Sequence, residues 1–146
     1  FHLCVVEVDK EPGAFTVLDY LAADDFGRTI NPLIVDGQVH GAVTQGLGQA
    51  LGEWCVYDDT AQLLAGSPMD YQLPRAADLP SFELSRIETP APGNPLGIKG
   101  MGEAGTLPAP PALANALRDA LSTLGCSIPD MPFTPHRVWC AINATK

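Results

Sequence analysis

Two apolar runs, at residues 2–9 and 14–22, flank the turn sequence Lys10-Glu11-Pro12-Gly13. That pattern predicts a β-hairpin with a longer loop. Asp24-Asp25-Phe26-Gly27-Arg28 is a polar connection. Asn31-Pro32 then supplies an N-cap residue and a first-turn proline, and a helix is expected from Pro32 to Trp54. Residues 55–58 are a candidate short strand, and Asp58-Asp59 and Gly66-Ser67-Pro68 are turn signals. Residues 81–88 alternate apolar and polar and predict a third long strand. Pro111 is read as opening a second helix that runs to Leu124, with Leu113, Leu117, Leu121 and Leu124 at helical spacing and Gly125 at the C′ position. Thr134-Pro135 starts a short last helix carrying Val138 and Ile142. The expected fold is one α+β domain over residues 1–146: a β-hairpin and further strands packed with a long Gly-rich helix and a second, C-terminal helix.

The first helix carries an unusual load of glycine: Gly37, Gly41, Gly46, Gly48 and Gly52. An interior glycine costs about 0.8–1 kcal/mol relative to alanine, so something must compensate. Gln38, Gly41, Gln45, Gly48 and Gly52 fall in one row at three- and four-residue spacing. Val35, Val39, Val43, Leu47, Ala50 and Trp54 form the opposite, core-facing row. The polar row has little bulk and two amides that donate and accept hydrogen bonds. It suits a flat polar ligand, or equally a glycine seam for close packing against another segment.

Residues 89–111 are rich in proline and glycine and too long for an ordinary connector. Within them Gly97-Ile98-Lys99-Gly100-Met101-Gly102-Glu103-Ala104-Gly105-Thr106 holds four glycines in ten residues. Residues 100–105 match G-x-G-x-x-G, but that pattern marks a dinucleotide site only between a strand and a helix. The flanks, Pro92-Gly93-Asn94-Pro95 before and Pro108-Ala109-Pro110-Pro111 after, argue against one. Glu103, between glycine and alanine, is either an exposed loop carboxylate or a base given unhindered access to a bound group.

Charge narrows the field. The chain has 8 basic and 17 acidic residues, a formal net charge of −9. The cations, from Lys10 to Lys146, are scattered singly, so no stripe exists to bind nucleic acid. Cys4, Cys55, Cys126 and Cys140 lie far apart, without a C-x-x-C pair, which argues against a zinc ribbon or an iron–sulfur ligand set. Reduced, mostly buried thiols in a cytoplasmic protein are expected. No stretch is apolar over a membrane-spanning length. A start at Phe1, directly in a strand-like run, suggests a piece of a longer chain.

Lys99-Gly100-Met101-Gly102-Glu103-Ala104-Gly105 resembles the active-site loop of the molybdenum hydroxylases, the family of xanthine dehydrogenases, aldehyde oxidoreductases and the large subunit of aerobic carbon monoxide dehydrogenase. Asp25-Phe26-Gly27-Arg28-Thr29-Ile30-Asn31-Pro32, Val35-Asp36-Gly37-Gln38-Val39-His40-Gly41 and Gln45-Gly46-Leu47-Gly48-Gln49-Ala50 are similar to the segments that precede that loop. Tyr71-Gln72-Leu73-Pro74 and Pro110-Pro111-Ala112 also fit. The resemblance runs in order over nearly the whole chain and points to the C-terminal part of the large subunit. It implies a molybdopterin cofactor, in bacteria often as the cytosine dinucleotide, with Glu103 as catalytic base and Gln38 and Gly102 beside the cofactor. It assigns no side chain of this chain as a metal ligand. It implies oxidation of aldehydes or N-heterocycles by hydroxylation, or of CO, with iron–sulfur clusters and FAD on other domains or subunits. The partners implied are the remainder of the large subunit, the iron–sulfur and flavin subunits and a small-molecule substrate. Phe26 stands where many relatives have Cys, a change expected to affect packing. By itself the chain is expected to be inactive, and a non-catalytic module that completes a split large subunit is the alternative.

Overall fold

The computed structural model describes residues 1–144; Lys146, counted above among the scattered cations, lies outside them. The chain folds as an α+β unit: β1 (His2–Val8), β2 (Phe15–Asp25), α1 (Pro32–Leu51), β3 (Phe82–Ile87), α2 (Ala109–Ser122) and α3 (Pro135–Asn143). The strands form one mixed sheet in the order β1-β2-β3. The hairpin is as expected, antiparallel, with a register shift between Val5 and Val6. β3 instead runs parallel to β2, from Tyr20 opposite Phe82 to Asp25 opposite Ile87. That pairing extends β2 three residues past the expected end at residue 22, because the ladder with β3 occupies the backbone of Ala23, Asp24 and Asp25. Residues 55–58 form no strand; Tyr57 makes only an isolated bridge to Leu63. The Asp58 carboxylate turns the chain there by accepting from the backbone of Thr60 and Gln62.

α1 begins where the local signals put it. The Asn31 side chain accepts from the Ile34 amide at 3.2 Å and Pro32 opens the first turn. This bond satisfies one of the four amides that a helix start leaves unpaired. Asn31→Ala should therefore destabilise the fold by about 1 kcal/mol, read as a lower denaturant midpoint with an unchanged slope. The helix ends at Leu51, three residues short of Trp54. Trp54 is not a core residue: it is half-exposed, with the Arg137 guanidinium 4.4 Å from its ring centre.

α2 starts at Ala109, two residues before the expected Pro111, with prolines in its first turn. Proline is tolerated there because the first-turn amides have no helical acceptor. Its other end is a Schellman closure. Gly125, at φ +69°, donates to Ser122 O, and Cys126 N donates to Leu121 O; both orphan carbonyls are satisfied.

The core gathers one face from each layer: Val17, Tyr20 and Ala22 of β2; Val35, Val39, Val43, Leu47 and Ala50 of α1; Leu113, Leu117 and Leu121 of α2; Val138 and Ile142 of α3. Phe26 joins this cluster and is 5% exposed, so its ring serves packing. The four cysteines form no disulfide. Burial pushes the Cys4 thiol up to about 12, whereas Cys55 and Cys140 are exposed, against the expectation of mostly buried thiols. Among the described residues no helix is long and apolar enough to cross a membrane.

Candidate functional site

The polar row of α1 divides into two halves with different surroundings. At the C-terminal half, a Cβ on Gly48 would meet Glu53 Oε1 at 2.4 Å and Pro74 at 2.8 Å, and one on Gly52 would meet the Gln72 amide at 2.3 Å. Here the seam reading holds: the 72–74 segment lies against the helix. Tyr71 donates to Glu53 Oε2 at 2.7 Å, and Gln45 Nε2 approaches the same oxygen at 3.4 Å. The bond to Glu53 holds the Tyr71 phenol above its usual range.

At the N-terminal half, a Cβ on Gly37 or Gly41 would meet no atom within 4 Å. Packing within the chain asks for no glycine at either position. Gln38, three residues before Gly41 and hence on the same face, donates from Nε2 to Gly102 O at 3.0 Å. That bond fastens the Gly-rich loop to the helix beside the bare surface.

Further contacts seat the loop. A Cβ on Gly105 would lie 2.8 Å from Ala42 Cβ, 2.9 Å from Val43 N and 3.0 Å from Val39 O. Thr106 Oγ1 donates to Ala42 O at 3.1 Å. From the helix side, a Cβ on Gly46 would strike Thr106 O at 2.6 Å. Glu103 O accepts from the amides of Thr106 and Leu107, so residues 102–108 form successive turns that lead into α2. These turns run directly into α2 at Ala109, two residues before the expected start at Pro111, so the proline flank does not separate the loop from the helix. The preceding strand that a dinucleotide site needs is still absent, since Ile98 makes only a bridge to Gly27.

Glu103 projects from this seated loop as an exposed side chain. Its carboxylate has no hydrogen-bond or ion-pair partner among the described residues. Gly100 and Gly102, on either side of Met101, would also carry a Cβ without meeting any atom within 4 Å. Glu103, Gly102 and Gln38 are thus brought together, as the spacing alone could not show.

Sequence reasoning missed what holds the upstream side of the loop. The Asp25 carboxylate receives Lys99 Nζ at 2.7 Å, Gly27 N at 2.9 Å and Thr89 N at 3.1 Å. Lys99 first, and then the two amides, hold this carboxyl well below the usual carboxylate range. Glu88 accepts from Thr29 N at 2.9 Å, and that bond likewise lowers its carboxyl. Asn94 bonds both backbone groups of Ile98. Asp25 and Lys99 are 74 residues apart, so no local motif signals the pair. A cavity of about 350 Å³ lies at the other end of α1, between Phe15, Gly48, Leu51, Gln72, Pro74 and Phe133; Glu103, Gln38 and Gly102 do not line it.

The seated loop, the bare helix face and the unpartnered glutamate lie together in a chain that belongs to the molybdopterin cofactor-binding domain family, which it matches over residues 1–80. Its relatives include a xanthine dehydrogenase molybdenum-binding subunit of Escherichia coli O157:H7, 34% identical over 85% of this chain and 16% of that one. It is 39% identical to the carbon monoxide dehydrogenase large chain of Hydrogenophaga pseudoflava over 97% of its own length and 18% of that chain. It is 42% identical to the nicotine 6-hydroxylase large subunit of Paenarthrobacter nicotinovorans, over 99% of its length and 17% of the relative's. The crystal structure of quinoline 2-oxidoreductase from Pseudomonas putida 86 superposes with a TM-score of 0.93 at 42% identity, covering 97% of this chain and 18% of the other. A Cu,Mo-CO dehydrogenase structure gives a TM-score of 0.91 at 34% identity, with the same coverage. The chain thus spans under a fifth of the length of these relatives.

Proposed function

We propose that this chain supplies the general base and one wall of the cofactor site of a molybdenum hydroxylase. The observation that carries the reading is the bond from Gln38 to Gly102 O. It sets an unpartnered carboxylate beside a helix face and a loop that are both bare of side chains at Gly37, Gly41, Gly100 and Gly102.

The residues fit the group their family binds. Four glycines that no packing contact explains leave room for a large planar ligand to approach backbone directly. Gln38 and the loop amides are the donors that its polar edge would need. Gln38, Gly41 and Gly102 would border the pterin. A bound molybdenum centre would supply the acceptor for the electron pair lost by the substrate. Glu103 takes up one of the two protons released as oxygen from water is added to the substrate, at a carboxylate oxygen that no neighbour among the described residues occupies.

The reaction this supports is oxidative hydroxylation of an N-heterocycle or aldehyde, or oxidation of CO. The relatives named for nicotine, quinoline and CO favour that range. The cofactor form is molybdopterin or its cytosine dinucleotide. The remainder of the large subunit, and iron–sulfur and flavin subunits, complete the path for electrons. Leu33 and Ile34, 82% and 67% exposed at the start of α1, and Met69, 93% exposed, suit contact with such partners.

Gly41→Ala separates the two demands on the helix. In the isolated chain it should raise stability by up to about 1 kcal/mol, as removal of an exposed interior glycine does. In the complete enzyme it should lower molybdenum and pterin content, because a methyl group would then stand on the bare face. Full cofactor content in this variant, measured by metal analysis and pterin fluorescence, would remove Gly41 from the site.

A further inference from the structure

We propose that Asp25 and Lys99 form a clamp that sets the place of Glu103, and that both are positioning residues for the reaction; this rests on the reading of Glu103 as the base. Asp25 is the last residue of β2, and Lys99 stands four residues before Glu103. Their side chains meet at 2.7 Å, Nζ to Oδ2. The other oxygen of Asp25 accepts from Gly27 N and Thr89 N. One carboxylate therefore ties three segments: the end of the sheet, the exit of β3 and the approach to the catalytic loop. Hydrogen bonds between ionised partners are roughly twice as strong as neutral ones.

The backbone repeats the connection. Lys99 N donates to Phe26 O at 3.0 Å, and Arg28 N donates to Gly97 O at 3.0 Å. Gly27 approaches so closely that a Cβ would lie 2.2 Å from Gly97 O. Asp25 orients this turn through its bond to Gly27 N, so losing the carboxylate loosens both the ion pair and the turn that pairs with residues 97–99.

The loop accordingly has two anchors. Downstream, Gly102, Gly105 and Thr106 are fixed to α1 by uncharged contacts. Upstream, the chain passes from Lys99 to Gly102 through Gly100, which has wide conformational freedom and open space where a Cβ would stand. With Lys99 released, residues 100–102 lose their charged upstream tether, and the peptide linking Gly102 to Glu103 is free to turn between the Gln38 bond and the bonds to Glu103 O, changing the direction in which the Glu103 side chain leaves the loop. An ion pair whose partners are about one-third exposed adds little to global stability, so the effect should be local.

The test uses the complete, cofactor-loaded enzyme with Lys99→Met, Asp25→Asn, the double variant, Lys99→Arg and Glu103→Gln as reference. Misplacing a reacting group by about 1 Å costs on the order of 10²-fold. Turnover per bound molybdenum should therefore fall by ~10–10²-fold in each neutral variant, with kcat changed more than KM. The double variant should be no slower than the slower single one, and Lys99→Arg should recover most of the rate. Independently of activity, hydrogen exchange at the amides of residues 97–105 should quicken in the neutral variants while that of α1 stays unchanged. Wild-type exchange at 97–105, losses that multiply in the double variant, or wild-type turnover in Lys99→Met would each overturn the clamp. If Glu103→Gln itself keeps full turnover, the base assignment fails and the positioning role falls with it. If Glu103→Gln is inactive but Lys99→Met is not, the clamp alone fails.

Discussion

Replacing Glu103 by Gln in the complete enzyme is expected to lower turnover per bound molybdenum by ~10²–10⁴-fold, with molybdenum content at the wild-type level. That loss corresponds to about 2.7–5.5 kcal/mol of barrier. Gln keeps the shape of the side chain and most of its hydrogen-bonding capacity but cannot take up the proton. The structure makes this substitution a clean one. The carboxylate is exposed on a loop seated by other residues, so its replacement disturbs no internal hydrogen bond or ion pair among the described residues. Glu103→Asp should also be slow, because the shorter side chain withdraws the carboxylate from its place. If Glu103 is only a loop residue, Gln is tolerated, or activity declines in step with lost folding or lost cofactor. Steady-state rates normalised to metal content separate the two cases, and a near-normal rate per molybdenum in Glu103→Gln would exclude the residue from the mechanism.

The second large effect is expected at Gly105. Its Cβ position lies at 2.8–3.0 Å from Ala42 Cβ, Val43 N and Val39 O. Two of these atoms are backbone in the middle of α1, and the third is a methyl group with no torsion to relieve the contact. Gly105→Val should therefore destabilise the chain by about 1–3 kcal/mol, the usual range for overpacking. It should also lift the loop off the helix, losing the bonds from Thr106 to Ala42 O and from Gln38 to Gly102 O. Turnover should then fall about as far as in Glu103→Gln, although the carboxylate is still present. Urea denaturation read alongside turnover at a temperature where the variant stays folded tests both parts. Unchanged stability would mean that the loop does not pack on α1 as described. Gly41→Ala, on the same helix but facing open space, provides the contrast: more stable as a chain, poorer at holding the cofactor.

What the sequence determined by itself was whatever depends on neighbours a few residues apart. Asn31-Pro32 marked the start of α1 because an N-cap and a first-turn proline act locally. Gly125 marked the end of α2 because the left-handed closure needs a residue without a Cβ. The valine, leucine and alanine row of α1 followed from helical periodicity, and the order of the motifs around Glu103 was enough to indicate the family. Tertiary structure decided everything set by distant partners. α1 stops at Leu51 where the 71–74 segment meets it: Gly48 and Gly52 lie against Pro74 and Gln72, and Glu53 is taken by Tyr71. Trp54 then leaves the core row for Arg137, a partner 83 residues on. β2 gained its last three residues from a parallel ladder with β3, and no alternation within β2 encodes such a neighbour. The same holds for the candidate site. Glycine spacing left open whether the polar row of α1 was a seam or a ligand face, because spacing says nothing of what lies opposite. The fold makes it a seam at Gly48 and Gly52 and leaves it open at Gly37 and Gly41. Only folding brings Gln38 to Gly102 across 64 residues and Asp25 to Lys99 across 74, because both bonds join segments that no local pattern connects.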